Sequence, residues 1–341
     1  MLDHAVTRFR LLPQQEQLKI LFEIAEKAIA QYVLLHPVTL TLINLSENAT
    51  YKVEAHDGRC WALRIHRDGY QSKAAIASEL AWLMALRDTG VVATPKPVRG
   101  NDGEFIQVVG HTKLKHSRFV VLSDWETGAE PTMAQDLLKT FEILGEQTAR
   151  MHKHSRHWKR PDYFTRLTWD FETSLGEVNP HWGRWRDGIG VHAEKQKLFG
   201  KTVDVIEQRL KAYGKSKERF GLIHGDLRLA NLLIDGSNVK VIDFDDCGFG
   251  WLMYDAATPV SFHEHEPQVP ELIEAWKLGY RKFAPLAKED ENEIPTFVIL
   301  RRLLLVAWTG SRPETDLAKS MGQPYSEGTI GLCEDYLRKF G

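Results

Sequence analysis

The sequence contains few cysteines, and their spacing matches neither a metal site nor a disulfide framework. Cys60, Cys247 and Cys333 are the only three in the 341-residue chain. Zinc modules and small disulfide-stabilised domains need cysteines at characteristic close spacings. We therefore interpret each cysteine as a small apolar side chain and set both of those protein classes aside.

The sequence also has no long uninterrupted apolar run. Charged residues interrupt the apolar stretches well before the roughly eighteen residues that indicate a membrane span. The N-terminus does not combine a charged start with a continuous apolar segment, so no signal peptide is expected. These absences predict a cytoplasmic protein without a membrane partner.

An excess of one charge sign, an internal repeat and a low-complexity segment are absent as well. Lys and Arg number 44 and Asp and Glu number 46, for a net charge of -2. This balance gives no indication of a nucleic-acid partner. Hydrophobic residues make up 43% and charged residues 26% of the chain, values that are ordinary for a globular enzyme. We expect a monomer or a homodimer.

The residue pattern changes near Ser123, and this change predicts two lobes. Before it, alternating apolar and polar residues predict five strands, with one helix inserted after the third. The predicted strands are residues 38–43, 50–54, 60–66, 104–109 and 118–122. After it the pattern is mainly helical. We therefore predict an α+β fold, with a five-stranded antiparallel sheet in residues 1–122 and a larger, mainly α-helical lobe in residues 123–341.

Residues 222–234 contain the most specific pattern in the chain. His224, Asp226 and Asn231 follow the spacing H-x-D-x-x-x-x-N, and a two-strand hairpin then leads to Asp243. Each of these residues alone is an ordinary turn or cap residue. All of them together, in this order and next to apolar strands, favour a catalytic loop that is followed by a metal-binding aspartate.

Phosphoryl transfer is the chemistry that needs these residue types. The protein must mainly position the reacting groups and neutralise the charge of the phosphates. A carboxylate must orient and deprotonate the attacking hydroxyl, and Asp226 suits that task. Oxygen ligands must hold Mg²⁺ on the phosphates. Asn231 and Asp243 suit this second task, since the hairpin returns Asp243 to the neighbourhood of the loop that bears Asn231.

The segment resembles the catalytic core of the aminoglycoside phosphotransferase and choline kinase superfamily, whose members are relatives of the protein kinases. In that superfamily the loop has the pattern H-G-D-x-x-x-x-N and the later strand has the pattern I-D-[FLW]. The pair Tyr254-Asp255 extends the match, and its aspartate is expected to brace the catalytic loop. The resemblance implies an enzyme that uses ATP and Mg²⁺ and has a protein-kinase-like, two-lobed fold. Its N-terminal lobe would bind the nucleotide, and its C-terminal lobe would carry the catalytic and substrate sites.

The same resemblance implies roles for two charged residues of the first lobe. The third strand should carry a cation for the α- and β-phosphates, and the next helix a glutamate that pairs with it. Arg64 and Glu79 stand at the matching places, with a simple surface ion pair as the alternative. Much of the superfamily has lysine where this chain has Arg64, but arginine stays charged and can bind phosphate bidentately.

The loop between the first two strands lacks the glycines of a protein-kinase phosphate loop. Residues 45–50 contain no glycine. The resemblance implies that a polar side chain such as Ser46 or Asn48 joins the backbone amides at the phosphates, although both residue types are also common in turns. The hinge is expected to run from Leu122 to Trp125 and to offer backbone groups to adenine.

The acceptor is expected to bind in the second lobe, where this superfamily inserts a substrate-shaping segment. Aromatic walls can hold an organic cation, although at least two of the tryptophans here are expected to be core residues. The tryptophans of this segment are Trp158, Trp169, Trp182 and Trp185. The acidic residues that could face a cationic group are Asp245, Asp246, Glu264 and Glu266.

These observations favour a small-molecule kinase that transfers the γ-phosphate of ATP to a hydroxyl, with an amino-alcohol or a hydroxy-amino acid as the expected acceptor. One alternative is a protein Ser/Thr kinase of the stress-response type. In those kinases the strand that leads to the metal-binding aspartate ends in a sequence similar to residues 242–246. The other is a nucleotide-binding regulator without turnover. The presence of Asp226, Asn231 and Asp243 together argues against that regulator.

Overall fold

The computed structural model describes residue 9 and residues 11–34, 37–45 and 48–341. The chain divides into two compact units. The first contains the residues up to Asp88 together with Thr94–Thr127 and Arg160–Thr165, and the second contains Thr89–Ala93, Gly128–Lys159 and Arg166–Gly341. The assignment of residues 1–122 to nucleotide binding and of residues 123–341 to catalysis stays a prediction.

The first unit is built on an antiparallel sheet with two helices. Its elements in chain order are α1 (Gln14–Ile29), β1 (Val38–Leu45), β2 (Ala49–Ala55), β3 (Cys60–Ile65), α2 (Lys73–Asp88), β4 (Pro97–Val98), β5 (Ile106–Val109) and β6 (Arg118–Asp124). The strand order is β1-β2-β3-β6-β4, and β5 also pairs with β6. All five predicted strands are present, and the two-residue strand β4 is additional.

The core of this unit lies between α1 and one face of the sheet. Helix α1 buries the apolar face that contains Ile20 and Ile24, and the strands contribute residues such as Val53 and Leu63. Burial alternates along β2 and β3, as expected when one face of each strand packs on a core. Strand β6 ends at Asp124, two residues later than predicted, so it continues into the predicted hinge of residues 122–125.

The second unit is mainly helical. Its elements in chain order are α3 (Leu138–His157), β7 (Leu167–Trp169), α4 (Phe171–Ser174), α5 (Ala193–Tyr213), β8 (Phe220–Ile223), β9 (Leu232–Asp235), β10 (Asn238–Val241), β11 (Gly248–Trp251), α6 (Tyr254–Ala257), α7 (Val269–Arg281), α8 (Lys288–Ser311) and α9 (Asp316–Phe340). Strands β9 and β10 form the predicted hairpin, and β7, β11 and β8 form a small mixed sheet. The predicted α+β fold is confirmed.

Helix α8 is the central helix of the second unit. It is long and apolar enough to meet the length and hydropathy criteria for a membrane span, but 78% of its most apolar window is buried within the protein. Two adjacent arginines, Arg301 and Arg302, interrupt its apolar sequence, and both are buried. Since a charged side chain is almost never fully buried unless it is paired, these arginines must have partners within the fold.

Helices α3 and α7 approach so closely that their backbones touch, and glycine permits this at two places. A Cβ on Gly145 of α3 would lie 1.9 Å from the Trp276 carbonyl oxygen of α7. A Cβ on Gly279 of α7 would lie 1.8 Å from the Glu142 carbonyl oxygen of α3. This contact fixes α3, which also carries His152, whose ring contacts the Asp255 carboxylate.

We expect Gly145→Ala to lower the free energy of unfolding by about 2 kcal/mol or more, because the added methyl group meets backbone that cannot move aside. The matched control is Gly331→Ala on the exposed face of α9, where nothing lies within 4 Å of the new Cβ. That change should stabilise the helix by about 1 kcal/mol. Urea unfolding measures both, and equal midpoints for the two variants would contradict the close approach.

Candidate active site

The predicted catalytic loop connects β8 to β9, and the hairpin of β9 and β10 leads back to it. The Ile242 backbone N–H donates to the Asn231 carbonyl oxygen at 2.9 Å. Asp243, the next residue, therefore lies beside the end of the loop that carries Asn231. The structure brings together the two residues that were predicted to bind a metal.

Asp255 braces the loop, as the sequence predicted. Its carboxylate is fully buried and accepts hydrogen bonds from the backbone N–H groups of His224 at 3.0 Å and Gly225 at 2.7 Å. The His152 ring donates to the same carboxylate at 3.1 Å. The Leu227 backbone N–H donates to the Thr258 hydroxyl at 3.0 Å. Asp255 and Thr258 thereby bind three backbone N–H groups of the loop and the ring of His152, which connects the loop to α6 and the turn that follows it.

His224 is a structural member of this loop. Burial lowers the pKa of its imidazole, so the ring is neutral at physiological pH. Its Nδ1 accepts from the backbone N–H of Asp226 at 3.2 Å, and its ring packs against Phe244 with centroids 4.4 Å apart. A neutral histidine in this position fixes the backbone that presents Asp226.

Two backbone conformations show why these residue types occur in this loop. Gly225 has φ +81°, and a Cβ there would lie 2.9 Å from the Asp246 carbonyl oxygen. Asp243 also has a positive φ, of 60°. For a residue other than glycine this conformation is uncommon, and such conformations concentrate at functional sites. The strain at Asp243 is therefore consistent with a functional position for its carboxylate.

Both oxygens of the Asp226 carboxylate are engaged by hydrogen-bond donors. Arg301 donates through Nη2 to Oδ1. The Asn231 side-chain amide donates to Oδ2 at 2.8 Å, and Arg228 Nε lies 3.3 Å from the same oxygen. Burial tends to raise the pKa of Asp226, but the positive charges of Arg301 and Arg228 outweigh that tendency and hold the pKa below its usual value. Asp226 is therefore ionised at physiological pH.

Sequence reasoning missed Arg301, which lies 75 residues after Asp226. Its side chain is only 2% exposed. It donates to the Tyr254 hydroxyl and to the Ser261 hydroxyl, each at 3.1 Å, and its guanidinium lies 4.9 Å from the centre of the Trp182 ring. The signal that could have found it is the Arg-Arg pair within an apolar helix, since such arginines need buried partners.

The residues predicted for the acceptor site divide into core and candidate groups. Trp169, Trp182 and Trp185 are buried, which confirms the expectation that at least two of the four tryptophans belong to the core. Glu264 forms a buried ion pair with Arg302 at 2.7 Å. Its predicted role in facing a cationic ligand is therefore wrong, because Arg302 already neutralises its charge. Asp246 stays a candidate, since its backbone lies against Gly225.

The candidates of the first unit are placed as follows. Arg64 on β3 and Glu79 on α2 form an ion pair, in which the Glu79 side chain is 1% exposed. The Asn48 side-chain oxygen accepts from the Arg67 backbone N–H at 3.0 Å. Ser46 lies outside the described residues. Leu122 pairs with Leu63 of β3 and with Val98 of β4.

The residues near Asp243 fit a magnesium ion that is also held by phosphates. Within the described part of the chain, no group of three or more His, Cys, Asp or Glu side chains is placed to hold a metal. Mg²⁺ in phosphotransferases usually takes one or two carboxylates together with substrate phosphates and water. Asp243 supplies a carboxylate. The Asn231 side-chain NH₂ group donates to the Asp226 carboxylate. The amide oxygen of Asn231 therefore points away from Asp226 and is a suitable second ligand.

Comparison with known proteins places the chain in a family. A family profile described as the phosphotransferase enzyme family matches residues 39–287, a stretch that includes the catalytic loop, Asp243 and Asp255. The chain belongs to this phosphotransferase family. It is therefore a kinase, and the superfamily and fold indicated by the H-G-D loop are confirmed.

Three relatives of this phosphotransferase are informative. The solved structure of a microcompartment-associated aminopropanol kinase is 43% identical, with a TM-score of 0.86 over 94% of this chain and 98% of that chain. The amicoumacin kinase of Bacillus subtilis (strain 168) is 26% identical over 281 residues, 76% of each protein. The solved structure of an amicoumacin kinase with AMP-PNP, Ca²⁺ and Ami is 21% identical, with a TM-score of 0.76 over 96% of each chain. This last likeness shows the fold alone.

We expect Asp255→Asn to destabilise the phosphotransferase and to lower kcat. In either orientation the new amide turns its NH₂ group toward a loop N–H, which leaves a buried donor without an acceptor and costs about 1–3 kcal/mol. The control is Asp335→Asn on α9, an exposed carboxylate paired with Arg338, where a surface change should stay within about 0.5 kcal/mol. Thermal unfolding and initial rates are measured for both. An Asp255 variant that behaves like the control would contradict the bracing role.

Proposed function

We propose that this protein is an ATP- and Mg²⁺-dependent kinase that transfers the γ-phosphate to the hydroxyl of a small amino-alcohol or hydroxy-amino acid. The observation that carries the proposal is the Asp226 carboxylate, ionised and held by Arg301 and Asn231 in the family's catalytic loop. The 43% identity to an aminopropanol kinase supports an amino-alcohol acceptor. We further propose a cytoplasmic monomer or homodimer whose partner is this small molecule.

Asp226 would orient the acceptor hydroxyl and receive its proton. A carboxylate with a lowered pKa is a weak base, so it would not remove the proton before transfer begins. Phosphoryl transfer has a loose transition state in most analyses, in which the hydroxyl becomes acidic as the new P–O bond forms. The proton would then pass to Asp226 while ADP leaves, giving a phosphate ester.

The remaining predicted residues would bind the nucleotide and the metal. Asn231 and Asp243 would hold Mg²⁺, which when bound neutralises charge on the phosphates. Arg64, held in place by Glu79, would contact the α- and β-phosphates. Ser46 or Asn48 would join backbone amides at the phosphates, and the backbone of residues 122–125 would meet adenine.

Asp246 is the acidic residue that we propose for the amino group of the acceptor. A Cβ on Gly225 would lie 2.9 Å from the Asp246 carbonyl oxygen, so the Asp246 backbone lies beside the loop that carries Asp226. If Asp246 binds the ammonium group of the acceptor, a hydroxyl a few bonds away in the same molecule would lie near Asp226. This arrangement suits a short amino-alcohol better than a protein side chain.

A panel of acceptors tests the proposal. Purified protein is incubated with ATP and Mg²⁺, and with 1-amino-2-propanol, ethanolamine, choline, homoserine or no acceptor, and ADP release and phosphate esters are measured. We expect ester formation with at least one amino-alcohol. Autophosphorylation without an acceptor would favour the protein-kinase alternative, and nucleotide binding without any turnover would favour the regulator.

Asp226→Asn should abolish most turnover and leave nucleotide binding nearly intact. Loss of a general base typically costs about 10²–10⁴-fold in rate, whereas the nucleotide is proposed to bind other groups. Asp235→Asn in the β9–β10 hairpin, where the side chain is half exposed, is the matched control. Initial rates and nucleotide titrations are compared, and a variant that keeps more than half of the wild-type rate would rule out this role for Asp226.

Asp243→Ala should weaken Mg²⁺-dependent nucleotide binding as well as turnover, because it removes a charged ligand from the proposed metal site. Calorimetric titration with ATP is carried out with Mg²⁺ and, separately, with EDTA. We expect the affinity gained from Mg²⁺ in the wild type to be lost in the variant. Equal affinities of the two proteins in the presence of Mg²⁺ would show that Asp243 is not a ligand.

A further inference from the structure

The buried guanidinium of Arg301 contacts three separate segments of the second unit. It binds the Asp226 carboxylate of the catalytic loop. It donates to Tyr254, the first residue of α6, and to Ser261, which follows the turn after α6. It also lies against Trp182 of the segment between β7 and α5. The segment that carries Trp182 is the one expected to shape the acceptor site.

The geometry of arginine makes these contacts mutually dependent. A guanidinium is planar and presents its N–H groups in a fixed fork. Nη2, Nη1 and Nε each bind a different oxygen, on Asp226, Tyr254 and Ser261 respectively. A shift of any one oxygen would break a bond to a buried charge, which is costly. The guanidinium therefore fixes the Asp226 carboxylate relative to Tyr254 and Ser261.

We propose that Arg301 is a positioning residue for the transfer reaction. It sets the orientation of the Asp226 carboxylate and the position of this carboxylate relative to the acceptor site. Arg301 acts through Asp226 and does not itself touch the acceptor hydroxyl. This inference rests on the proposed function, because it assigns to Arg301 the placement of the group that meets the hydroxyl.

Arg302 provides an internal control for this proposal. It is the next residue on α8 and is also 2% exposed. Its guanidinium binds Glu264 at 2.7 Å, the Thr329 hydroxyl at 2.8 Å and the Tyr325 carbonyl oxygen at 2.8 Å. This is the same kind of buried network, but no contact joins it to Asp226 among the described residues. Substitutions at Arg302 therefore measure the loss of stability that comes from breaking a buried arginine network.

The deciding comparison uses Arg301→Lys with Arg302→Lys, and Arg301→Gln with Arg302→Gln. Thermal midpoints, kcat and the KM values for ATP and acceptor are measured with the best acceptor of the panel. Both Arg301 variants should lower kcat, by about 10²-fold for Arg301→Gln, since a misplacement of about 1 Å can cost that much. The KM for ATP should be unchanged. The Arg302 variants should lose thermal stability to a similar degree but keep most of kcat.

Lysine retains the charge but cannot reach three oxygens in one plane, so Arg301→Lys separates geometry from charge. Wild-type kcat in Arg301→Lys, or equal losses of kcat in the paired Arg301 and Arg302 variants, would overturn the proposal. If Arg301→Gln fails to fold, the lysine pair still decides. Absence of turnover in the wild type with every acceptor would instead contradict the proposed function.

Chemical rescue gives a second, independent readout. Removal of the side chain in Arg301→Ala leaves space for a guanidinium ion beside Asp226. Added guanidinium chloride at concentrations below those that unfold the protein should raise kcat of Arg301→Ala, and should not raise that of Arg302→Ala or Asp226→Asn. Equal responses of the Arg301 and Arg302 variants would contradict a positioning role.

Discussion

The ion pair between the Arg301 guanidinium and the Asp226 carboxylate is the contact on which the geometry of the catalytic loop depends. Both groups are largely removed from water, and each would be strongly destabilised without the other. Breaking a buried pair by removing one partner typically costs about 3–5 kcal/mol. The pair also joins the catalytic loop to a helix that follows it 75 residues later, so α8 contributes directly to the site.

The residues around this pair hold the catalytic loop in place and keep Asp226 ionised. His224 is kept neutral by burial and serves as a hydrogen-bond acceptor for the backbone of Asp226. Asp255 takes the loop N–H groups that have no partner in a strand. Asn231 binds Asp226 with its nitrogen and so presents its oxygen elsewhere. Each residue thereby has one task, and Asp226 stays ionised in a fixed orientation.

The sequence predicted the features that are encoded locally. The strands of the first unit follow from alternation, and the catalytic loop follows from the spacing of His224, Asp226 and Asn231. The small sheet of β7, β11 and β8 was not predicted, because its strands are only three or four residues long and each contains glycine or tryptophan instead of an alternating pattern. Short strands that depend on distant partners give little periodic signal.

Long-range pairing explains the other differences. Arg301 meets Asp226, and Arg302 meets Glu264, across separations of 75 and 38 residues. No spacing rule connects residues so far apart, so Glu264 was assigned to the acceptor and Arg301 to no role. The apolar sequence around the two arginines was the available indication, because buried arginines require acidic partners.

The most direct test of this account is a crystal structure with a non-hydrolysable ATP analogue, Mg²⁺ and an amino-alcohol that the enzyme phosphorylates. The account predicts the acceptor hydroxyl within about 2.6–3.2 Å of an Asp226 carboxylate oxygen, with the contact between Arg301 and Asp226 retained. An acceptor hydroxyl bound away from Asp226, or a complex in which Arg301 has left that carboxylate, would contradict it.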